Sequence, residues 1–265
     1  MSKKHDIIWL QSVDSTNEEA KRHISDIDNL SVLSALEQTA GRGQRGNTWT
    51  STPGENLMFS IVLKDPKISA RDQFVLNEIA SLSVVDFLSM HGISARIKWP
   101  NDIYVGLKKI CGILIENSLQ GSAISSSIIG IGLNINQRNF NVNLPNPTSM
   151  ILAREENTDM DSEAFDLNEL LEEFMDIFTE YLDRFCHITG GYNRLSKLYH
   201  AQLWRLNEPA EFVDTARNVR FHGIIRGTSP IGHLLVELPD GTTREFAFKE
   251  ISYGSSKKNI IFAKI

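Results

Sequence analysis

The chain is poor in cysteine, in positive charge and in long apolar runs, and each shortage excludes a class of protein. Its 265 residues include two cysteines, Cys111 and Cys186. Two are too few for a disulfide framework and form no metal-type cluster, so both read as reduced thiols in a cytoplasmic protein. The formal net charge is -6, so the chain as a whole is not built to hold nucleic acid or an anionic membrane. An anion site must come from a local cluster of Arg and Lys. No apolar stretch is long enough to span a bilayer, and the polar start, Met1 to Asp6, is no signal peptide. Internal repeats, low-complexity tracts and the G-x-x-x-x-G-K-[ST] phosphate loop are also missing. What remains is a chain that is 41% hydrophobic, long enough for one large domain and a small one around unstapled cores.

Ile7–Val13 predicts a strand. Ser15-Thr16-Asn17-Glu18 fits a capping box, with a helix running to about Ser25. Ser31–Gln38 is apolar enough for a strand. Thr39–Glu55 holds four glycines and a proline without a period, which predicts a long loop, mobile without ligand. Asn56–Lys64 alternates like a strand. Residues 72–91 predict an amphipathic helix, with Leu76, Ile79, Ala80, Ser83, Val84 and Phe87 at helical spacing and Gly92 as its stop. Four strand-like pieces follow: Ala95–Trp99, Ile103–Val105, Lys109–Asn117 and Ser126–Asn134. Asn136–Pro147 reads as a polar loop, and Leu167–Phe185 as a second long helix. From Pro209 to Ile265 the texture is strand-like throughout. Turn signals fall at Thr228-Ser229-Pro230, Pro239-Asp240-Gly241 and Tyr253-Gly254-Ser255, which predicts a small β-barrel. The boundary lies near residues 203–207.

Four segments can carry chemistry. Gly41-Arg42-Gly43-Gln44-Arg45-Gly46 joins anion-cradling glycines to two arginines. Its spacing also matches G-x-G-x-x-G, but Asn47-Thr48-Trp49 and the residues after it start no helix, as a dinucleotide fold requires. Lys98-Trp99-Pro100-Asn101-Asp102 is either a sharp turn or a carboxylate placed for Mg²⁺ on phosphates. In Lys109-Ile110-Cys111-Gly112-Ile113-Leu114-Ile115-Glu116, the lysine is a solvated edge residue or an inward cation beside room left by Gly112. Glu116 is a strand end. Gly130-Ile131-Gly132-Leu133-Asn134 is a β-bulge or a second close approach of backbone to ligand.

In this order and spacing, the set resembles the biotin–protein ligase family: Ser-Thr-Asn at a helix start, GRGxxGxxW, KWPND, K-x-x-G-I-L-x-E and G-I-G-x-N. Leu144-Pro145-Asn146-Pro147-Thr148-Ser149 also looks like the family, and the likeness is strongest from Ile7 to Ser149. It implies an α+β fold: a mixed β-sheet flanked by helices in a catalytic domain, 1–204, then an SH3-like β-barrel, 205–265. It implies ATP-dependent activation of biotin to biotinyl-5′-AMP and transfer to a lysine of a biotin carboxyl carrier protein, with Mg²⁺. Carried over residue by residue, biotin would meet Ser15, Thr16, Asn17, Gln38, Arg42, Gly43, Gln44, Lys109, Gly112 and Gly130. ATP would meet Arg45, Trp49, Asp102 and Asn134. Lys109 and Arg42 would be catalytic, and Asp102 would hold the metal.

Gln44 stands where many relatives have a basic residue that holds the adenylate. Ser15 lies too close to the start for the DNA-binding domain of relatives that also act as repressors, so no nucleic-acid partner is expected. Relatives include monomers and homodimers. The rival within the same fold is a lipoate–protein ligase or octanoyl transferase; the non-enzyme rival is a biotin- or nucleotide-sensing module.

Overall fold

The computed structural model of the protein describes residues 5–158, 163–186 and 190–254, with backbone alone at Arg45 and 157–158. The chain divides into two compact units, Met1–Trp204 and Arg205–Ile265.

The first unit is a seven-stranded mixed sheet. Its strands are β1 (Ile7–Val13), β2 (Val32–Gln38), β3 (Leu57–Lys64), β4 (Arg96–Lys98), β5 (Asp102–Val105), β6 (Lys108–Gln120) and β7 (Ala123–Leu133). Across the sheet they run β1-β2-β3-β7-β6-β5-β4. β1 and β2 are parallel, which requires a crossover, and α1 (Thr16–Arg22) supplies it. All other neighbours are antiparallel. β3 sits mid-sheet with both faces covered, so Leu57 to Leu63 are all buried and the expected in–out alternation is lost. On one face Val62 joins Ala20, Ile27, Leu33 and Ile128 in the cluster under α1. On the other, Phe59 meets Phe174 edge-on at 5.2 Å, and Phe87 meets the same ring at 5.9 Å.

Those two phenylalanines belong to α4 (Leu167–Cys186) and α2 (Phe74–Met90). α2 differs from the amphipathic helix its spacing predicts. It packs against strands β4, β5 and β6 as well as α4 and α5 (Gly191–Ala201), so its residues are buried almost all round. Gly92 ends it at φ +75°. α1 also departs from expectation. It stops at Arg22, and Ser15 makes no side-chain capping bond. The Ser15 backbone N–H donates to the Asp14 carboxylate instead, and Glu18 turns to Lys21 and Arg42 rather than back to the cap. α3 (Met150–Thr158) and α5 are additional to the helices legible in the sequence. Among the described residues no helix is long and apolar enough to cross a membrane.

The second unit is a five-stranded antiparallel sheet, ordered β11-β10-β9-β8-β12. Its strands are β8 (Pro209–Asp214), β9 (Val219–Thr228), β10 (Leu234–Glu237), β11 (Thr243–Phe246) and β12 (Ile251–Tyr253). Gly241, at φ +83°, turns β10 into β11. The expected strand texture of residues 255–265 lies outside the described residues.

One buried acid stands out on α2. Glu78 is 4% exposed, and burial pushes its carboxyl up to about 8 against the opposing pull of the Ser196 hydroxyl. An unfolded glutamate ionises near 4.5. Between these values the unfolded chain is charged and the folded chain is protonated, so stability falls as pH rises through the window. By pH 7 the loss is on the order of 3 kcal/mol at about 1.4 kcal/mol per unit. Glu78→Gln should therefore flatten the drop in Tm between pH 5 and pH 8. Equal pH dependence in variant and parent would show that Glu78 ionises without penalty.

Candidate active site

The site is built on the α1 face of β7, β6 and β5, and its key feature is an irregularity. Asp102 pairs with Gly112 and Ile103 with Cys111, but Tyr104 then pairs with Lys109, so Ile110 is bulged out. Residues three apart on a regular strand point to opposite faces. The bulge cancels that and puts Lys109 on the same face as Gly112 and Asp102. The Lys109 ammonium lies 2.6 Å from the Asp102 carboxylate. Backbone groups around the bulge find partners: Lys109 N–H donates to Asn146 O at 2.8 Å, and Thr148 and Asn134 N–H groups donate to Lys109 O and Ile110 O.

Beside this pair the sheet is bare. Gly112 and Gly132 are direct cross-strand partners, and Gly130 faces Leu114. The Trp49 indole lies flat on the Gly112–Gly132 strip. A Cβ added at Gly112 would come 3.1 Å from the ring, and one at Gly132 2.5 Å. Lys109 Nζ is 5.6 Å from the ring centroid, a cation–π contact, and the indole N–H is buried without an acceptor among the described residues. Residues 39–55 are the long loop the sequence predicts, and the loop is folded back on itself. Arg42 bridges Thr48, Gly43 N–H donates to Asn47 O at 2.7 Å, and Gln44–Gly46 is a 3-10 turn. Trp49 is the apolar anchor that closes this small hairpin. Arg42 forms an ion pair with Glu18. Gln44 Oε1 is buried without a donor among the described residues.

Next to the strip, α1 presents its first turn. Gln38 Oε1 accepts from Thr16 N–H at 2.8 Å and from its hydroxyl at 3.2 Å. Ser60 donates to Thr16 Oγ1 or Asn17 Oδ1, at 2.8 and 2.6 Å. Asn17 Nδ2 donates to Glu116 Oε2 at 2.8 Å, and Lys21 reaches the other Glu116 oxygen at 2.6 Å. Burial opposes charge on Glu116, but the bonds from Lys21 and Asn17 outweigh it and hold its carboxyl below the ordinary value. Gly130 has no room for a side chain because Asn17 lies against it.

Lys109, Asp102, Gly112 and Trp49 therefore form one cluster, and Thr16, Asn17, Gln38 and Gly130 an adjoining one. Ser15 is buried at the helix start. Asn134 is set apart, its amide donating to Thr148 O at 2.8 Å. The Arg45 side chain lies outside the described residues. Glu116 and Ser60 belong to the polar network; Glu116 closes the K-x-x-G-I-L-x-E motif without a role read for it, and nothing in the sequence marks Ser60. Glu116 was in reach of inspection, since residues 112, 114 and 116 share a strand face. Cys111, fully buried, has its thiol pushed far above the ordinary range by burial and is inert.

Residues 9–134 match the model of the biotin/lipoate A/B protein ligase family, which gives the class. A biotin–[acetyl-CoA-carboxylase] ligase of Paracoccus denitrificans is 30% identical over 236 residues, 88% of this chain and 94% of its own. The bifunctional ligase/repressor BirA of Escherichia coli is 28% identical over 256 residues, 94% of this chain and 74% of its own. Among solved structures, the biotin protein ligase of Aquifex aeolicus in complex with biotin and ATP superposes with a TM-score of 0.76. It is 29% identical and covers 96% of this chain and all of that one, at 100%. The chain belongs to the biotin–protein ligase family.

The contact between Trp49 and Gly132 predicts a coupling. Gly132→Ala should displace the indole, red-shift tryptophan emission and lower stability by about 1–3 kcal/mol. In a Trp49→Ala background the same substitution should be nearly neutral, because the clashing ring is gone. Equal losses of Tm in both backgrounds would place the indole elsewhere.

Proposed function

We propose that this ligase seats biotin on the glycine strip and the α-phosphate of ATP at Lys109, and that the product is a biotinylated lysine of a biotin carboxyl carrier protein. The observation that carries this reading is the Lys109–Asp102 pair, 2.6 Å apart, beside side-chain-free backbone. A cation there meets charge as it develops on the phosphoryl group. Ser15, Thr16, Asn17 and Gln38 offer hydrogen bonds to the polar ring of biotin, with Gly130 leaving room. Arg42, Gly43 and Gln44 cover it, and Arg45, Trp49, Asp102 and Asn134 serve the nucleotide. Trp49 must lift for biotin to enter and can then close over it, which keeps water from the acyl adenylate.

The chemistry follows in two displacements. A carboxylate oxygen of biotin bonds to the α-phosphorus, and the bond to the bridging oxygen breaks, so pyrophosphate leaves with the electron pair. The neutral ε-amine of the carrier lysine then bonds to the acyl carbon. The carbon–oxygen bond to AMP breaks, AMP leaves with that pair, and the amine proton passes to water. Lys109 favours the first step by neutralising charge between carboxylate and phosphate. The donor set fits Mg²⁺, which is held by one or two carboxylates together with substrate phosphates and water. Asp102 would supply the carboxylate. Bound there, the ion would neutralise phosphate charge.

Incubation with ATP, labelled biotin and a carrier domain should place label on one carrier lysine, whereas transfer of lipoyl or octanoyl groups instead would overturn the reading. Lys109→Gln should cut biotin-dependent pyrophosphate exchange by about 10² or more with the fold intact; near-normal exchange would remove Lys109 from the reaction. Gln44→Arg should add a charge-assisted bond to the adenylate phosphate and slow adenylate release about tenfold or more. An unchanged release rate would show that residue 44 does not face the phosphate.

A further inference from the structure

We infer that Glu116, shared between Lys21 and Asn17, is a positioning residue that fixes which end of the Asn17 amide faces biotin, a role that rests on the seating of biotin given above. Asn17 lies buried in the first turn of α1. Its Oδ1 is the atom turned to Gly130: a Cβ there would come 2.3 Å from Oδ1 and 3.1 Å from Nδ2. The amide therefore offers an acceptor, which a ring N–H of biotin can meet. A reversed amide would set its own N–H groups against that N–H, donor against donor. The two ends of an amide are nearly equal in size, so packing does not choose between them. Hydrogen bonds do.

The choice is made on β6. Asn17 Nδ2 donates to Glu116 Oε2 at 2.8 Å and, by a longer bond, to Leu114 O at 3.3 Å. Ser60, on the other side, does not decide it. Its hydroxyl lies 2.6 Å from Asn17 Oδ1 and 2.8 Å from Thr16 Oγ1, so it can turn to Thr16 and follow a reversed amide. A carboxylate only accepts, and it has two oxygens. Lys21 takes Glu116 Oε1 at 2.6 Å, which leaves Oε2 for Asn17. The same lysine reaches Glu18 at 2.9 Å, so it is anchored at both carboxylates.

A glutamine at 116 has one oxygen for two donors. The bond from the Lys21 ammonium is charge-assisted and the stronger, so Lys21 takes the oxygen. The glutamine NH₂ is then left facing Asn17, which must reverse to accept it. Taking Lys21 away as well returns the oxygen to Asn17. The effect of Glu116 on biotin is thus conditional on Lys21, as a purely structural role would not be.

Biotin binding to the full-length enzyme is measured by calorimetry without nucleotide. Glu116→Gln should weaken it about tenfold or more. At saturating biotin, kcat and the KM for ATP in pyrophosphate exchange should stay within about twofold of the parent. The double variant Glu116→Gln/Lys21→Met should bind biotin within about threefold of the parent, and so should Lys21→Met alone, which leaves Oε2 in place. Unchanged biotin affinity in Glu116→Gln would overturn the inference. So would a loss that persists in the double variant, since removing a second side chain does not repair a damaged fold. Should Glu116→Gln alone not fold, the double variant decides by the same limit of about threefold. Asn17→Ala is assayed in parallel. If it binds biotin as the parent does, the seating of biotin against Asn17 is wrong and this inference falls with it. If Asn17→Ala loses biotin while Glu116→Gln keeps it, only the role of Glu116 is lost.

Discussion

The site depends on one extra residue in β6. Without the bulge at Ile110, Lys109 would point to the opposite face of the sheet, the one α2 packs against. Burying an unpaired charge there is prohibitive. With the bulge, Lys109 joins Asp102 and Gly112 on the open face, and the three-residue spacing of K-x-x-G acquires a geometric reason. The bulge is fixed from outside as well. Residues 146–148 run beside it as an extra strand fragment, bonded to Lys109 N–H and C=O, and Asn134 ties the same segment through Thr148 O. Asn134 thus acts at a distance on the orientation of Lys109, whatever it contributes to the nucleotide.

Charge on the open face is balanced locally: Lys109 with Asp102, and Lys21 and Arg42 in one network with Glu18 and Glu116. The Lys21–Glu116 pair is structural in consequence. It holds Asn17, whose amide oxygen accepts from Ser60 while its nitrogen donates to Glu116 and to Leu114 O at 3.3 Å. An amide bonded at both ends cannot flip, so one defined polar pattern faces the glycine strip. The Lys109–Asp102 pair sits differently, with nearly a third and a quarter of its two side chains exposed. An exposed pair gains little from its own attraction. Breaking it open therefore costs little.

Most strands and both long helices were legible because their apolar periodicity is local. The motifs were legible as well, since KWPND and the glycine pairs are short runs. Three features depend on pairing between distant residues and could not be read. The bulge appears only once β5 is laid beside β6. The role of Glu116 needs α1 folded over the sheet, and the loss of the Ser15 capping box needs Arg42 brought to Glu18. α3 and α5 escaped for another reason. α3 is polar on average and carries Arg154, Glu155 and Glu156, while α5 follows directly on a glycine pair that reads as a turn. The burial of α2 all round has the same origin: Glu78 and Ser81, off the apolar stripe, read as a polar face until the helix is packed.

Trp49 links the order of events to this geometry. Without ligand, its ring covers the same strip that biotin would use, and its N–H is buried without a partner, a state that costs on the order of 1–3 kcal/mol. The closed hairpin is therefore held by apolar contact and a cation–π contact against an unmet polar group. The ring also lies 5.6 Å from the Lys109 ammonium, so a ligand on the strip would have to displace both contacts. Any strengthening of nucleotide binding by a ligand on the strip would, by linkage, be matched by the converse to the same degree. The glycines at 112 and 132 are what permit the exchange, because any side chain there would hold the ring away from the sheet in both states.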